Sequence, residues 1–339
     1  MSTLITGASG FIGLNVAEAL LKRGETVLLF SRRSIQPDPQ SGQQPTPPAA
    51  FRIFSKLQGN FRIITGDIRD HDRLEQIFAE HSPENIVHGA AITPGLNRER
   101  DQMQLTADVN FMGTLCLLEA ARKFKVRRIV YLSSGAVYGQ SSFAAEILKE
   151  DIPIPLPDTI YAVSKYAGER ASLRYRQIWN MDVIAARLGT VFGPWEWDTG
   201  IRATLSTIYQ VTSRAVRGEP AIMPRIAGRK DWVYSRDIAN AIVSLIDSSD
   251  LQHDVYNLGS GTIWEVNDWC KKLSEYFLWF TYRMTDQNKE INCDYGTVDR
   301  SPLSIQRLER DTGFVPSFGL EEAFTDYMQW IDDVPEFWH

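Results

Sequence analysis

Leu4-Ile5-Thr6-Gly7-Ala8-Ser9-Gly10-Phe11-Ile12-Gly13 is a short apolar run that ends in three glycines spaced three apart. A helical pattern follows at once, with Val16, Ala17, Leu20 and Leu21 on one face. The stretch reads as a strand, a tight turn and a helix start. Glycine permits positive φ in the turn and lets backbone approach a ligand closely. Amide groups and the dipole at a helix N-terminus favour a phosphate. A bare glycine pattern is weak, but here the strand before it and the helix after it are both in place. The stretch is therefore read as a dinucleotide pyrophosphate site, with Gly7, Gly10, Phe11, Ile12 and Gly13 as its cradle. The competing reading is a glycine-rich turn with no ligand.

Thr26-Val27-Leu28-Leu29-Phe30 is a second buried strand, ending in Ser31-Arg32-Arg33. At this position dinucleotide folds carry an acid for the adenosine ribose hydroxyls, or an arginine for a 2′-phosphate. Ser31 with Arg32 and Arg33 points to NADP, with NAD as the alternative. Residues 34–59 are rich in Pro, Gln and Gly and read as a surface excursion. Phe61 to Asp67 is a third strand; Asp67, followed by Ile68, is placed to meet adenine, or else to cap the helix that follows. Asn85 to Ala91 is a fourth, and its small Ala90 and Ala91 let backbone approach a cofactor; His88 within it reads as a core histidine.

A long helix is expected from about Asp101 to Lys123, interrupted in its pattern by Asn110, Gly113 and Thr114. Arg122 to Arg128 reads as a solvated helix end, and Cys116 as a small core residue. The strand Arg128 to Leu132 delivers Ser133-Ser134 to its C-terminal end, where open α/β sheets place ligands. The helix Tyr161 to Glu169 and a sixth strand, Asp182 to Leu188, follow. Strands alternating with helices give a Rossmann-type, doubly wound parallel sheet. Its expected extent is 1–194, with part of 229–260 returning to it, while 195–228 and 261–339 form a smaller substrate lobe.

The chain has 339 residues and a net charge of −6, which offers no electrostatic case for nucleic acid. Its three cysteines are scattered and suit a reducing compartment, and no metal cluster is expected. No signal peptide or bilayer-length apolar run is evident. A cytoplasmic protein with a small-molecule substrate, and neither nucleic acid nor membrane as partner, is the expectation.

The chemistry lies in Tyr161 and Lys165, four apart and so on one helical face. A free phenol, with a pKa of roughly 10, is a poor base at neutral pH. A nearby ammonium favours its phenolate. The pair can then exchange a proton with a carbon-bound hydroxyl while a nicotinamide exchanges hydride. Ser134 would hold the substrate oxygen, and Asn110 would stand behind as an orienting group or relay. Each feature alone is common; their order in one chain is specific.

That order resembles an extended short-chain dehydrogenase/reductase of the NAD-dependent epimerase/dehydratase family. The likeness covers nearly the whole chain. It includes Gly7/Gly10/Gly13, Asp67, Asn110 to Thr114, Ser133-Ser134 with Val137-Tyr138-Gly139, and Tyr161/Lys165. It runs on through Arg187 with Val191 to Pro194, Asp231-Trp232 with Asp237, Asn257 to Gly261, and Thr312 to Pro316 with Leu320 to Glu322. The resemblance implies a catalytic set of Ser134, Tyr161, Lys165 and Asn110, with Lys165 also on the nicotinamide ribose and a homodimer through the helices holding Asn110 and Tyr161. It places Thr190 and Lys230 at the substrate; Arg229 or Arg300 would compensate for the lost bidentate geometry of Lys230, and Trp195 and Trp197 beside the cleft suit an apolar or stacked substrate. Gly135 and Ala136 stand where nucleotide-sugar dehydratases carry Asp-Glu, which argues against 4,6-dehydration. Thr190 and Lys230 replace an Asn and an Arg that meet the sugar-nucleotide diphosphate in epimerases. The readings are an epimerase or dehydrogenase of a sugar-like substrate, with a nucleotide sugar as the leading class; a reductase of a small carbonyl; and a non-catalytic cofactor sensor, which intact Tyr161 and Lys165 disfavour.

Overall fold

The computed structural model describes residues 1–36, 49–143, 145–198, 205–225, 228–293 and 300–338. Strands β1 (Ser2–Thr6), β2 (Thr26–Ser31), β3 (Asn60–Thr65), β4 (Asn85–His88), β5 (Arg128–Ser134) and β6 (Val183–Leu188) form one parallel sheet. With β7 (Thr190–Phe192), β8 (Ala221–Pro224) and β9 (Trp232–Tyr234) assigned elsewhere, β10 (Val255–Leu258) completes it in the order β10-β6-β5-β4-β1-β2-β3. Strand β7 pairs with β9, and β8 with β11 (Tyr282–Thr285), as separate two-stranded sheets. The main sheet is the doubly wound Rossmann-type arrangement, with its order reversing beside β1, so ligands belong at the C-terminal ends of β1 and β4.

The crossovers are helices α1 (Phe11–Lys22), α2 (Ala50–Phe54), α3 (His71–His81), α4 (Leu96–Ala107), α5 (Gly113–Lys123), α6 (Ile160–Trp179), α7 (Thr207–Val216) and α8 (Ser235–Asp247). Helices α9 (Val266–Tyr276), α10 (Gln306–Thr312) and α11 (Leu320–Asp333) lie in the C-terminal part. The central strands are buried on both faces, as continuous apolar runs require. Part of this core is aromatic: Trp195, Trp232, Trp269, Tyr234 and Tyr327 are fully enclosed, and Phe192 meets Trp232 and Trp269 edge to face.

Four local expectations change. The excursion over 34–59 is not all surface. Its residues 37–48 lie outside the described residues, but Ile35, Ala49, Ala50 and Phe54 are core, and Phe54 packs edge-on to Trp195 at 5.9 Å. Arg128 is not solvated. Its guanidinium donates to Leu245 O at 2.8 Å and Ile246 O at 3.2 Å, capping the C-terminal carbonyls of α8, and pairs with Asp182. Cys116 is half-buried rather than core. The expected single helix to Lys123 is α4 and α5 joined by one π-helical turn, Asp108–Met112, which contains Asn110. Such turns accompany functional sites because the extra residue re-aims a side chain.

Candidate active site

One cavity of about 440 Å³ runs along the C-terminal ends of the strands. Its walls bring together Gly7, Gly10, Phe11, Ile12 and Gly13 with Ser31, Arg32, Arg33, Asp67, Ile68, Ala90 and Ala91. At the far end stand Ser134, Tyr161, Lys165, Thr190 and Arg300. Sequence reasoning passed over Ser9 and Thr93, which also line it. Thr93 follows Ala91 by two residues and carried no pattern that marks it.

The glycine turn fits a dinucleotide because side chains there would fill the cradle. Gly7 has φ +71°, and a Cβ on it would stand 2.9 Å from the Ala90 backbone. A Cβ on Gly13 would stand 2.5 Å from Gly7 O, so only glycine lets α1 approach β1 this closely. Helix α1 has no side-chain cap and no acid in its first turn, leaving its positive end to an anion from outside. At the adenosine end, Ser31 donates to Arg33 O at 2.5 Å, and Arg32 and Arg33 are exposed. Asp67 is not the helix cap; Asp70 is, accepting from Arg73 N. Both Asp67 oxygens accept from Arg69, at 2.9 and 2.8 Å, and that guanidinium pulls its carboxyl down to about 2.

Tyr161 and Lys165 reach the cavity because α6 starts beside it. Thr159 caps the helix by accepting from Ala162 N at 3.2 Å, and Glu99 accepts from Ile160 N. Tyr161 thus sits in the first turn and Lys165 one turn further. Burial pulls the Lys165 amine down to about 7, opposed by the charge of Glu169. Ser134 ends β5, and its Oγ accepts from Ala136 N at 3.1 Å, which leaves its own proton available to a substrate oxygen. Ser133, its neighbour, turns inward and donates to Glu169 Oε2 at 2.7 Å.

Asn110 is not among the residues that line the cavity. Its Oδ1 accepts from Ile92 N at 2.7 Å, and its Nδ2 donates to Ile92 O at 2.9 Å and to Ser164 Oγ at 3.0 Å. Its side-chain polar atoms are thus engaged by the Ile92 backbone and Ser164. His88 is the core histidine expected. Thr114 Oγ1 donates to Asn110 O at 2.7 Å, so it accepts from His88 Nε2, and Thr6 Oγ1 then donates to Nδ1 at 2.7 Å. That chain fixes a neutral imidazole, and burial pulls it down to about 3.

Two residues expected at the substrate do not line the cavity. Trp195 is fully buried and absent from the wall; its Nε1 donates to Glu18 at 2.6 Å, and its rings pack on Phe54 and Trp330. Trp197, two residues on, lines the cavity instead. Lys230 is also absent from the wall, with its ammonium 5.4 Å from the centroid of the Trp232 ring. Thr190 and Arg300 remain, and they extend into an adjoining pocket of about 60 Å³ beside Ser134. The protein around the Arg300 guanidinium lowers its pKa from the ordinary value, partly offset by Asp158.

The family model for the NAD dependent epimerase/dehydratase family matches residues 3–259. A dTDP-glucose 4,6-dehydratase of Streptomyces niveus is 26% identical, covering 100% of this chain and 95% of its own. A UDP-glucuronate 4-epimerase of Thermodesulfobacterium geofontis is 30% identical over 261 residues, or 76% of this chain and 75% of its own. Among solved structures, the UDP-glucuronic acid 4-epimerase of Bacillus cereus, in complex with UDP-glucuronic acid and NAD, superposes with a TM-score of 0.78 at 22% identity, covering 98% of this chain and 100% of that one. With the glycine turn, Ser134, Tyr161 and Lys165 gathered on one cavity, the chain belongs to the NAD dependent epimerase/dehydratase family.

Proposed function

We propose that this protein is an epimerase of a nucleotide sugar, working by transient oxidation of a ring hydroxyl. The observation that carries the reading is the single cavity with the glycine cradle on one wall and Ser134, Tyr161 and Lys165 on the other. Gly7 to Gly13 would hold the pyrophosphate of the cofactor, Ser31 and Arg32 its adenosine ribose, and Lys165 its nicotinamide ribose. When bound, the cofactor supplies a hydride acceptor at the sugar carbon and returns the hydride.

The chain's own work is proton handling. The Tyr161 oxygen takes the proton of the substrate hydroxyl and later restores it. The Lys165 ammonium favours the phenolate that this requires. Ser134 donates a hydrogen bond to the same substrate oxygen. Arg300 supplies charge for the sugar-nucleotide phosphates.

Dehydration is the weaker reading. Among the described residues, the only carboxylates on the two cavity walls are Asp67 and Asp231. Asp67 is held by Arg69 at the opposite end. Asp231 accepts from Ser260 N and Oγ and from Leu303 N. Asp231 shares the small pocket with Ser134, but both its oxygens are engaged by these backbone and hydroxyl donors, and Gly135 and Ala136 next to Ser134 form a short turn with no acid.

Three finer readings accompany this. Ser31 with Arg32 and Arg33, and no acid at the end of β2, supports NADP over NAD. Exposed Met103, Leu105, Met112, Val163 and Trp179 on α4, the π turn and α6 support a homodimer through these helices. Trp197 and Arg300 support the assignment of 195–228 and 261–339 to the substrate lobe.

The test is incubation of the purified protein with UDP-glucose or UDP-glucuronic acid and either NAD or NADP. Products are read by NMR and net cofactor reduction by absorbance. A new epimer without net reduction supports the reading. Net reduction would instead assign a dehydrogenase, and no product with any nucleotide sugar would overturn it.

A further inference from the structure

Lys165 is fully enclosed, yet the proposed chemistry needs it charged. The structure surrounds it with two groups that the reacting atoms never touch. From β5, the ring of Tyr131 lies beneath it, with Nζ 4.4 Å from the ring centroid. The Tyr131 hydroxyl passes under α6 and donates to Lys165 O at 3.0 Å. That passage depends on Gly168, where a Cβ would stand 2.3 Å from the hydroxyl oxygen. From α6 itself, Glu169 lies one turn beyond Lys165 and is fully buried. Its carboxylate accepts from Ser133 Oγ at 2.7 Å and from Arg187 Nη2 and Nε at 2.6 and 3.0 Å.

We infer that Tyr131 and Glu169 are positioning residues that hold Lys165 as an ammonium, the first through its ring face and the second through its charge. A cation is attracted to an aromatic face within about 6 Å, and more strongly where water is excluded. The other titratable groups near Lys165 do not substitute. His88 of β4 lies tilted against Tyr131 at 5.6 Å but is neutral, and Tyr161 is the group that the ammonium serves. Arg187 of β6 adds positive charge behind Glu169, so the carboxylate there is already shared. The ring face is then the counter-layer that Glu169 alone does not supply.

The inference rests on Lys165 acting as the partner of Tyr161, but its test does not depend on turnover. The amine is titrated directly through the ¹³Cε resonance of Lys165, assigned by its loss in Lys165→Met. Tyr131→Phe keeps the ring face and loses only the hydroxyl, so the titration midpoint stays where it is. Tyr131→Leu removes the face and moves the midpoint down by about half a pH unit to one and a half units. Glu169→Gln also moves it down. In catalysis the alkaline limb of the kcat profile shifts by the same amounts.

Equal shifts in Tyr131→Phe and Tyr131→Leu would overturn the role of the ring face, and an unmoved midpoint in Glu169→Gln would overturn that of the carboxylate. Should Tyr131→Leu fail to fold, Tyr131→Phe and Glu169→Gln still decide: a shift in the first, or none in the second, defeats the inference. Titration shifts as expected in a protein that turns over no sugar would leave the inference standing and remove the epimerase reading alone.

Discussion

The Asn110 amide donates to the Ser164 hydroxyl at 3.0 Å, and that contact joins the π turn to the helix that carries Tyr161 and Lys165. The same side chain satisfies the backbone of Ile92 in both directions. Asn110→Ala leaves a buried N–H and C=O without partners, each costing about 1–3 kcal/mol. Urea unfolding should show a loss of that size, and kcat should fall more than KM rises, because the reacting groups are displaced rather than removed.

Tyr161→Phe removes the one hydroxyl proposed to exchange a proton with the substrate. Turnover should drop by about 10²-fold or more. Cofactor affinity, measured by titration calorimetry, should be little changed. Full turnover would mean that another group handles the proton.

Lys165→Met should make the protein more stable while it destroys activity. The folded amine is held near 7 against an ordinary 10.5, so the unfolded chain binds more protons between those values. Native stability therefore rises with pH from about 7 to 10.5, by up to about 1.4 kcal/mol per pH unit. The variant lacks this dependence. Its melting temperature should exceed that of the natural protein at pH 6, and the advantage should shrink toward pH 10.

His88 gives the acid-side counterpart. Burial holds the imidazole neutral to about pH 3, against an ordinary 6.5. The stabilisation is complete above about 6.5 and is lost as pH falls toward 3. Between pH 6.5 and 4 the urea midpoint of the natural protein should fall more steeply than that of His88→Gln. Parallel profiles would show that this imidazole does not govern acid stability.

Arg32→Ala tests the adenosine end. Loss of the guanidinium should weaken NADP much more than NAD, since only the former carries the extra phosphate. Equal weakening of both would remove the basis for an NADP preference.

The opening glycines, the strand–helix alternation and the Tyr161/Lys165 spacing were legible in the chain itself. Each depends on local backbone rules: a turn that admits only glycine, a strand buried on both faces, and a helix that repeats about every four residues. Ser134 could be placed at the site because it ends a strand, whereas Thr190 was placed there through the family resemblance and Arg300 as a charge to compensate for Lys230.

Which aromatic faces a ligand and which faces the core was beyond that reading. Trp195 and Trp197 are near neighbours of the same residue type, yet one is locked against Phe54 and Glu18 while the other lines the cavity. Lys230 was placed at the substrate by the family resemblance and Arg128 on a solvated helix end by its charge, whereas a tryptophan ring lies beside the first and the end of α8 holds the second. The hydrogen bonds that hold Asn110, and the ring beneath Lys165, join segments 18 and 34 residues apart. Sequence supplied the backbone plan and the reactive groups. Burial and the partners of each side chain were set only by long-range packing, because a group's charge and orientation depend on what surrounds it in space.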